Sequence, residues 1–215
     1  MAKTRTKVLL WCLTMAVAAV GALAAWRRQR CWGASDAETR TVLPGDALVP
    51  QPDLQATRAI RIGARPEAVW PWLVQMGEDK AGFYSYDWLE RLAGVDARNG
   101  DVVAPEWQGL VQGDRVRLAE GIELNVALAD PPHALVLDNL AAPGPHFALS
   151  AFDFTWAFVV EPDQSEGSRL VVRERYAWSA WRVGLVVKAV SWVSFVMSRA
   201  MLLGIKRRAE RNEPN

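Results

Sequence analysis

The chain has few of the residues that hold metals, build disulfides or carry acid–base chemistry near neutral pH. Of 215 residues only two are cysteine, Cys12 and Cys31, and only two are histidine, His133 and His146. Both cysteines precede residue 32, so the body of the chain offers neither a disulfide framework nor a zinc-ligand spacing. No metal and no cofactor is expected. Each histidine stands beside a proline in an expected turn, with no carboxylate pattern nearby, and reads as a solvated loop residue. The glycine-rich nucleotide motifs, H-E-x-x-H and G-x-S-x-G are absent, which leaves nucleotide-binding, zincin and α/β-hydrolase chemistry without support.

Acids are missing from the first thirty residues, which hold six bases: Lys3, Arg5, Lys7, Arg27, Arg28 and Arg30. Setting these aside leaves 19 of the 25 bases against 24 acids, so the rest of the chain is mildly acidic. Binding to nucleic acid needs a clustered basic surface, and the body has none.

Tryptophan is plentiful instead, with 11 residues against 6 phenylalanines and 3 tyrosines. Its large amphipathic ring suits deep cores, apolar cavities and membrane interfaces alike. "VLLWCLTMAVAAVGALAAW", Val8 to Trp26, runs without a charge. As a helix it would rise about 28 Å, close to the roughly 30 Å of a bilayer's hydrocarbon. Trp11 and Trp26 lie near its ends, and "WRRQR" follows like a stop-transfer flank, so residues 1–30 read as a membrane anchor. A cleaved signal peptide, with Ala22-Leu23-Ala24 as its small-x-small site, and a buried soluble helix are the alternatives. Three bases stand on each side, so the positive-inside bias cancels.

Residues 31–56 are polar and contain Pro44, Pro50 and Pro52, which reads as an extended linker rather than an element. From Thr57 the pattern becomes regular. "TRAIRIGA" alternates as a strand, with Ile60 and Ile62 opposite Arg61. "RPEAVWPWLVQMG" is a short helix with Pro66 in its first turn, apolar positions Val69, Trp70, Leu73 and Met76, and a stop at Gly77. "SYDWLERLAG" reads as a second short helix after the Gly77–Gly82 turn. Strands follow between turn signals. In "AFDFTWAFVVE" Phe152, Phe154, Trp156, Phe158 and Val160 share one face. In "SRLVVRERYAW" Leu170, Val172, Glu174, Tyr176 and Trp178 share a face, opposite Arg169, Arg173 and Arg175. A long apolar segment, about Ala180 to Glu210, closes residues 57–210, and 211–215 form a polar tail.

This order of elements, with the stretches "AVWPWLVQMGEDKAGFYSYDWLERLAG", "PPHALVL" and "FTWAFVVEPDQSEGSRLVVRERY", resembles the START-like, or SRPBCC, superfamily over about Thr57 to Arg208. The likeness is to a bacterial subgroup that often carries an N-terminal hydrophobic segment. It implies an α+β helix-grip fold, a curved antiparallel sheet around a long C-terminal helix, here with an N-terminal transmembrane helix added. It also implies a cavity between sheet and helix for a hydrophobic small molecule or lipid. The superfamily includes lipid carriers, hormone receptors and polyketide aromatase/cyclases and has no single catalytic motif, so no active site is carried over. In such a fold Trp70, Leu73 and Met76 would be core, and Phe83, Tyr84, Tyr86 and Trp88 would stand at the cavity mouth. Phe154, Trp156, Phe158, Glu174 and Tyr176 would line the cavity, the aromatic strand serving as core and wall together.

Glu174 is the one catalytic candidate. By strand parity it points into an apolar space, where burial would raise its pKa unless a base pairs with it. There it would orient a ligand hydroxyl, act as an acid or base, or be a satisfied structural carboxylate. A bulge would instead turn it outward into a ladder with Arg173 and Arg175. The C-terminal helix carries Lys188 and Arg199 about 20° apart around its axis, a single basic stripe that suits a capping helix better than a second span. The expected function is a membrane-anchored domain that binds or carries a hydrophobic small molecule or lipid. The rivals are a polyketide cyclase/dehydrase-like enzyme using polar groups of the cavity and a scaffold filled by its own tryptophans.

Overall fold

The computed structural model describes residues 2–86, 88, 99–140, 151–163 and 166–212, and only the backbone of 2–10, 12, 13 and 212. Six strands form one antiparallel sheet: β1 (Leu54–Ile62), β2 (Arg115–Ala119), β3 (Ile122–Asp130), β4 (Ala134–Asp138), β5 (Asp153–Pro162) and β6 (Ser168–Ala177), in the order β1-β6-β5-β4-β3-β2. The period-2 pattern of β5 and β6 sets the inner face. Register places Phe158 beside Val172, Trp156 beside Glu174 and Phe154 beside Tyr176, which makes one continuous wall. Irregularities at Arg117/Ala119 and Val126/Leu128 bend the far strands, as bulges do.

Among the described residues the α-helices given bounds before the second strand are α1 (Ala2–Arg30), α2 (Asp36–Arg40) and α3 (Pro66–Val74). Pro66 opens α3 where a missing N–H costs nothing, and Glu67 stands in its positive first turn. The helix stops at Val74, sooner than the expected Gly77, with Pro71 inside it. Gly77 and Gly82 then exchange two backbone hydrogen bonds and turn the chain back. Both have positive φ, which glycine adopts without steric cost. Most of the second helix expected after this turn lies outside the described residues.

The long C-terminal helix, α4 (Trp181–Asn212), packs against α3 and β1. Met201, Leu202, Ile205 and Ala209 of its second half are buried in the core with Trp72, Leu73, Met76 and Phe158. At Gly204 the helix comes so close to the Tyr84 backbone that a Cβ would stand 2.3 Å from the Tyr84 carbonyl oxygen. An antiparallel sheet with one long helix against its inner face fits the helix-grip arrangement. Among the described residues α4 is the one helix long and apolar enough to cross a membrane, but a third of its most apolar stretch is buried in the protein.

Residues 31–56 differ from the extended linker that their prolines predict. Ser35 and Glu38 form a capping box that opens α2, and Asp46–Leu48 make a 3-10 turn. The outward arginines of β6 bind this segment down. Arg169 meets Glu38 at 2.6 Å, Arg173 meets Asp46 at 2.6 Å, and Arg175 meets Asp46 at 3.2 Å. Arg173 also donates to the Thr41 and Glu38 carbonyls. A small second core of Leu43, Ala59, Val159 and Val171 fills the space beneath. Composition does not reveal this strap, because its partners lie about 130 residues downstream.

The last turn of α1 also docks. The Trp26 and Trp192 rings stand 6.1 Å apart, and the Gln29 carbonyl accepts from Arg58 Nε at 3.1 Å. The helix before this turn is exposed as far as its side chains are described, with Trp11 at 71% and Val17 at 72%.

Arg169 holds the Glu38 carboxyl at about 2, well below its ordinary value. A depressed carboxyl stabilises the fold above its unfolded pKa and loses that contribution as pH falls through the folded one. The strap's stability should therefore decline from about pH 5 toward pH 2. Glu38→Gln should flatten this acid limb and lower stability at pH 7 by about 1 kcal/mol, a value set by the pair's partial exposure. Urea unfolding at several pH values checks both.

Candidate functional site

Between the inner face of the sheet and the middle of α4 lies a cavity of about 360 Å³. The sheet supplies Leu118, Ala119 and Ile122 from the β2–β3 hairpin, Phe154 and Trp156 from β5, and Glu174 and Tyr176 from β6. Val190, Val193, Ser194, Met197, Ser198 and Met201 come from α4, and Phe83 and Ser85 from the loop after α3. The i, i+3/i+4 spacing of the α4 residues puts them on one side of the helix. Phe154 stacks on Tyr176 at 4.7 Å and Trp156 on Phe158 at 4.8 Å, so the aromatic wall is stiff.

Polar groups gather at one end. Glu174 points inward and is only 2% exposed. Its Oε1 accepts from Arg58 Nη1 at 2.6 Å, Ser198 Oγ at 2.9 Å and Ser194 Oγ at 2.8 Å. Its Oε2 accepts from Ser194 Oγ at 2.8 Å and the Tyr176 hydroxyl at 3.1 Å. Arg58, 1% exposed, is the counter-ion that strand β1 carries across to β6, and its guanidinium lies 5.7 Å from the Phe195 ring. Its Nε continues the network to the Gln29 carbonyl, and the Gln29 amide reaches Ser191 at 3.5 Å. Two buried ions in low dielectric persist only when paired and hydrogen-bonded, and this pair is both. Burial, with the negative charge of Glu174 second, holds the Tyr176 phenol well above its ordinary value, so Tyr176 stays a neutral donor.

The structure brings five of the residues named from sequence to this cavity: Phe83, Phe154, Trp156, Glu174 and Tyr176. It places four elsewhere. Phe158 follows the same parity but lies deeper, fully enclosed in the core. Tyr84 is buried edge-on against Trp72 at 5.8 Å, beneath the Arg208 guanidinium at 4.7 Å, behind the wall rather than at a mouth. Burial pushes its phenol above its ordinary value too. Tyr86 and Trp88 face solvent with their rings 6.4 Å apart, because the chain leaves the core after Ser85. His133 is exposed, and His146 lies outside the described residues. Sequence reasoning missed Arg58, Ser194 and Ser198. Arg58 shares its strand face with Ile60 and Ile62, and the serines stand four apart on an apolar helix; both signals are visible once β6 supplies the carboxylate.

No protein-family model and no curated protein matches the sequence. Solved structures similar to the chain include protein MLL2253 from Mesorhizobium loti, at 15% identity and TM-score 0.44 over 75% of this chain and all of that one. The Aha1 dimer from Colwellia psychrerythraea is similar at 16% identity and TM-score 0.41, over 75% of this chain and 99% of that one. Protein TTHA0849 from Thermus thermophilus is similar at 17% identity and TM-score 0.42, over 75% of this chain and all of that one. At such identities and scores the likeness says nothing of activity or ligand.

Removing one partner of a buried ion pair costs more than replacing both. Arg58→Met alone should destabilise the protein by about 3–5 kcal/mol, and Arg58→Met with Glu174→Leu should recover most of that. Denaturant unfolding of the single and double variants is the measurement; an equal loss in both would contradict a pairing role.

Proposed function

We propose that the protein is a membrane-anchored domain of the START-like superfamily that binds or carries a hydrophobic small molecule or lipid in its internal cavity. The observation that carries this reading is the cavity itself, apolar along most of its wall and ringed by aromatic and methionine side chains. Apolar pockets of this size, with a few convergent polar groups, are the common form of small-molecule sites. The Glu174 carboxylate at the end of the cavity is already occupied by donors of the protein itself, which suits holding a ligand more than transforming one.

Membrane attachment rests on α1. Its charge-free run is exposed where side chains are described, and bases flank it on both sides. The first half of α4 adds an apolar surface next to it, with Trp181 70% and Val186 62% exposed. The Trp26–Trp192 contact joins the two. Arg182 and Lys188 stand on that half of α4, where they would meet anionic head groups.

An enzyme of the polyketide cyclase/dehydrase kind is the second reading, and the convergence of Glu174, Tyr176 and Arg58 in one cluster favours it. Against it, Glu174 already accepts from four residues, and a general base needs a lone pair within reach of the substrate proton. The scaffold reading has less support, since the tryptophans leave the cavity open.

Native mass spectrometry of gently purified protein should show a co-purifying apolar ligand. Val193→Trp and Met197→Trp, each placing an indole in the cavity, should abolish that mass while thermal unfolding keeps a single cooperative transition. Finding no ligand, even after exposure to a broad lipid and polyketide panel, would sink the proposal. Carbonate extraction of cell membranes should leave the full chain in the pellet; its release would remove the anchor.

A further inference from the structure

A polar pocket of about 320 Å³ lies on the outer face of the sheet, where the strap crosses it. Thr39, Arg40 and Asp46 of the strap line one side, with Gln55 of β1 and Arg173 and Arg175 of β6 on the other. Its charged groups are three guanidiniums and a single carboxylate. Asp46 is already shared out. Its Oδ2 accepts from Arg173 Nη1 at 2.6 Å and from the Leu43 N–H at 3.0 Å, and its Oδ1 meets Arg175 Nη1 at 3.2 Å. Arg173 gives its other donors to Thr57 Oγ1 and the carbonyls of Glu38 and Thr41.

Arg175 is different. Only its Nη1 is bonded, to the Asp46 carbonyl and carboxylate, and its Nε is buried without a partner. The Nε–Nη2 edge, which in a guanidinium takes two oxygens of one anion side by side, has no acceptor among the described residues. The side chain of Arg40, at the exposed rim, has no hydrogen-bonded or ionic partner among them either. Burial holds the Arg173 guanidinium below its ordinary pKa against the pull of Asp46, and the like charge of Arg175 acts in the same direction. The pocket therefore carries a surplus of positive charge and unused donors.

We propose that this pocket binds a small oxyanion of the phosphate type, held between Arg175 of the sheet and Arg40 of the strap. Such an anion is the acceptor that the Arg175 edge lacks, and it offsets the surplus charge where water screens it least. Guanidiniums on two separate walls suit a tetrahedral dianion, whose oxygens reach both, over a planar carboxylate. Because the two arginines belong to different segments, the bound anion ties α2 to β6 as a further clasp. Free phosphate and the phosphate of a lipid head group share this chemistry.

The test is thermal unfolding of the full chain in a neutral detergent at about pH 8, where phosphate is mainly doubly charged. Sodium phosphate is titrated against sodium chloride of equal ionic strength. Phosphate should raise the midpoint saturably, as a ligand of the folded state does, and should slow amide hydrogen exchange in residues 36–48. Arg40→Ala breaks no side-chain contact of the protein, so it should unfold like the parent in chloride. It should need about tenfold more phosphate for the same shift, the loss of one charge-assisted hydrogen bond. Dihexanoyl phosphatidic acid separates the two sources. A shift at equal or lower concentration that weakens in Arg40→Ala assigns the pocket to a lipid head group; no shift, or one that Arg40→Ala leaves unchanged, assigns it to the free anion. A response to phosphate no greater than to chloride, or one unaltered in Arg40→Ala, would overturn the proposal and leave phosphate an adventitious ion only.

Discussion

The Arg58–Glu174 ion pair stands where four parts of the protein meet. Arg58 belongs to an edge strand and Glu174 to its neighbour; Ser194 and Ser198 come from α4, and Gln29 from the last turn of α1. An ion buried in this way is tolerated only while every partner is present, so each of these elements is held in register by the same requirement. Apolar packing alone would let α4 slide or rotate along the sheet at modest cost. A carboxylate that must meet two serines four residues apart fixes both the height and the rotation of the helix. The cavity beside it owes its shape to that constraint, because the same turn of α4 forms its roof.

The two faces of β6 divide the work. Leu170, Val172, Glu174 and Tyr176 serve the core and cavity, while Arg169, Arg173 and Arg175 hold residues 31–56 against the outer face. The outward arginines use carboxylates and carbonyls of the strap, so that face is covered rather than solvated. One strand thereby joins the ligand side of the sheet to the segment leading from α1.

Much of this is legible in the residues. Period-2 alternation places the strands and puts Glu174 on the inner face, and the long apolar segment near the end is the long helix. The aromatic wall of Phe154, Trp156 and Tyr176 follows from parity alone. What is not legible depends on distance in sequence. Glu174 reads as a lone acid until Arg58, 116 residues away, is brought opposite it. The strap reads as a linker because its prolines are local and its arginines are remote. Tyr84 and Phe158 are misassigned to the cavity because parity and composition tell inside from outside, but not a lined void from solid packing. Tyr86 and Trp88 fail differently, since aromatic rings next to a cavity carry no mark of which way the loop turns.

The pinned strap also bears on how motion is passed along the chain. A flexible tether would let the domain tumble beneath α1 like a weight on a string. Here the path from α1 to β1 contains a docked helical turn, a capped helix and three arginine clasps, with no swivel among them. Displacement of α1 is thus transmitted to the sheet as through a bracket, and the domain keeps a set attitude toward whatever surrounds that helix. The cavity is aimed, in the way a fixed lamp is aimed, by the geometry of its mounting.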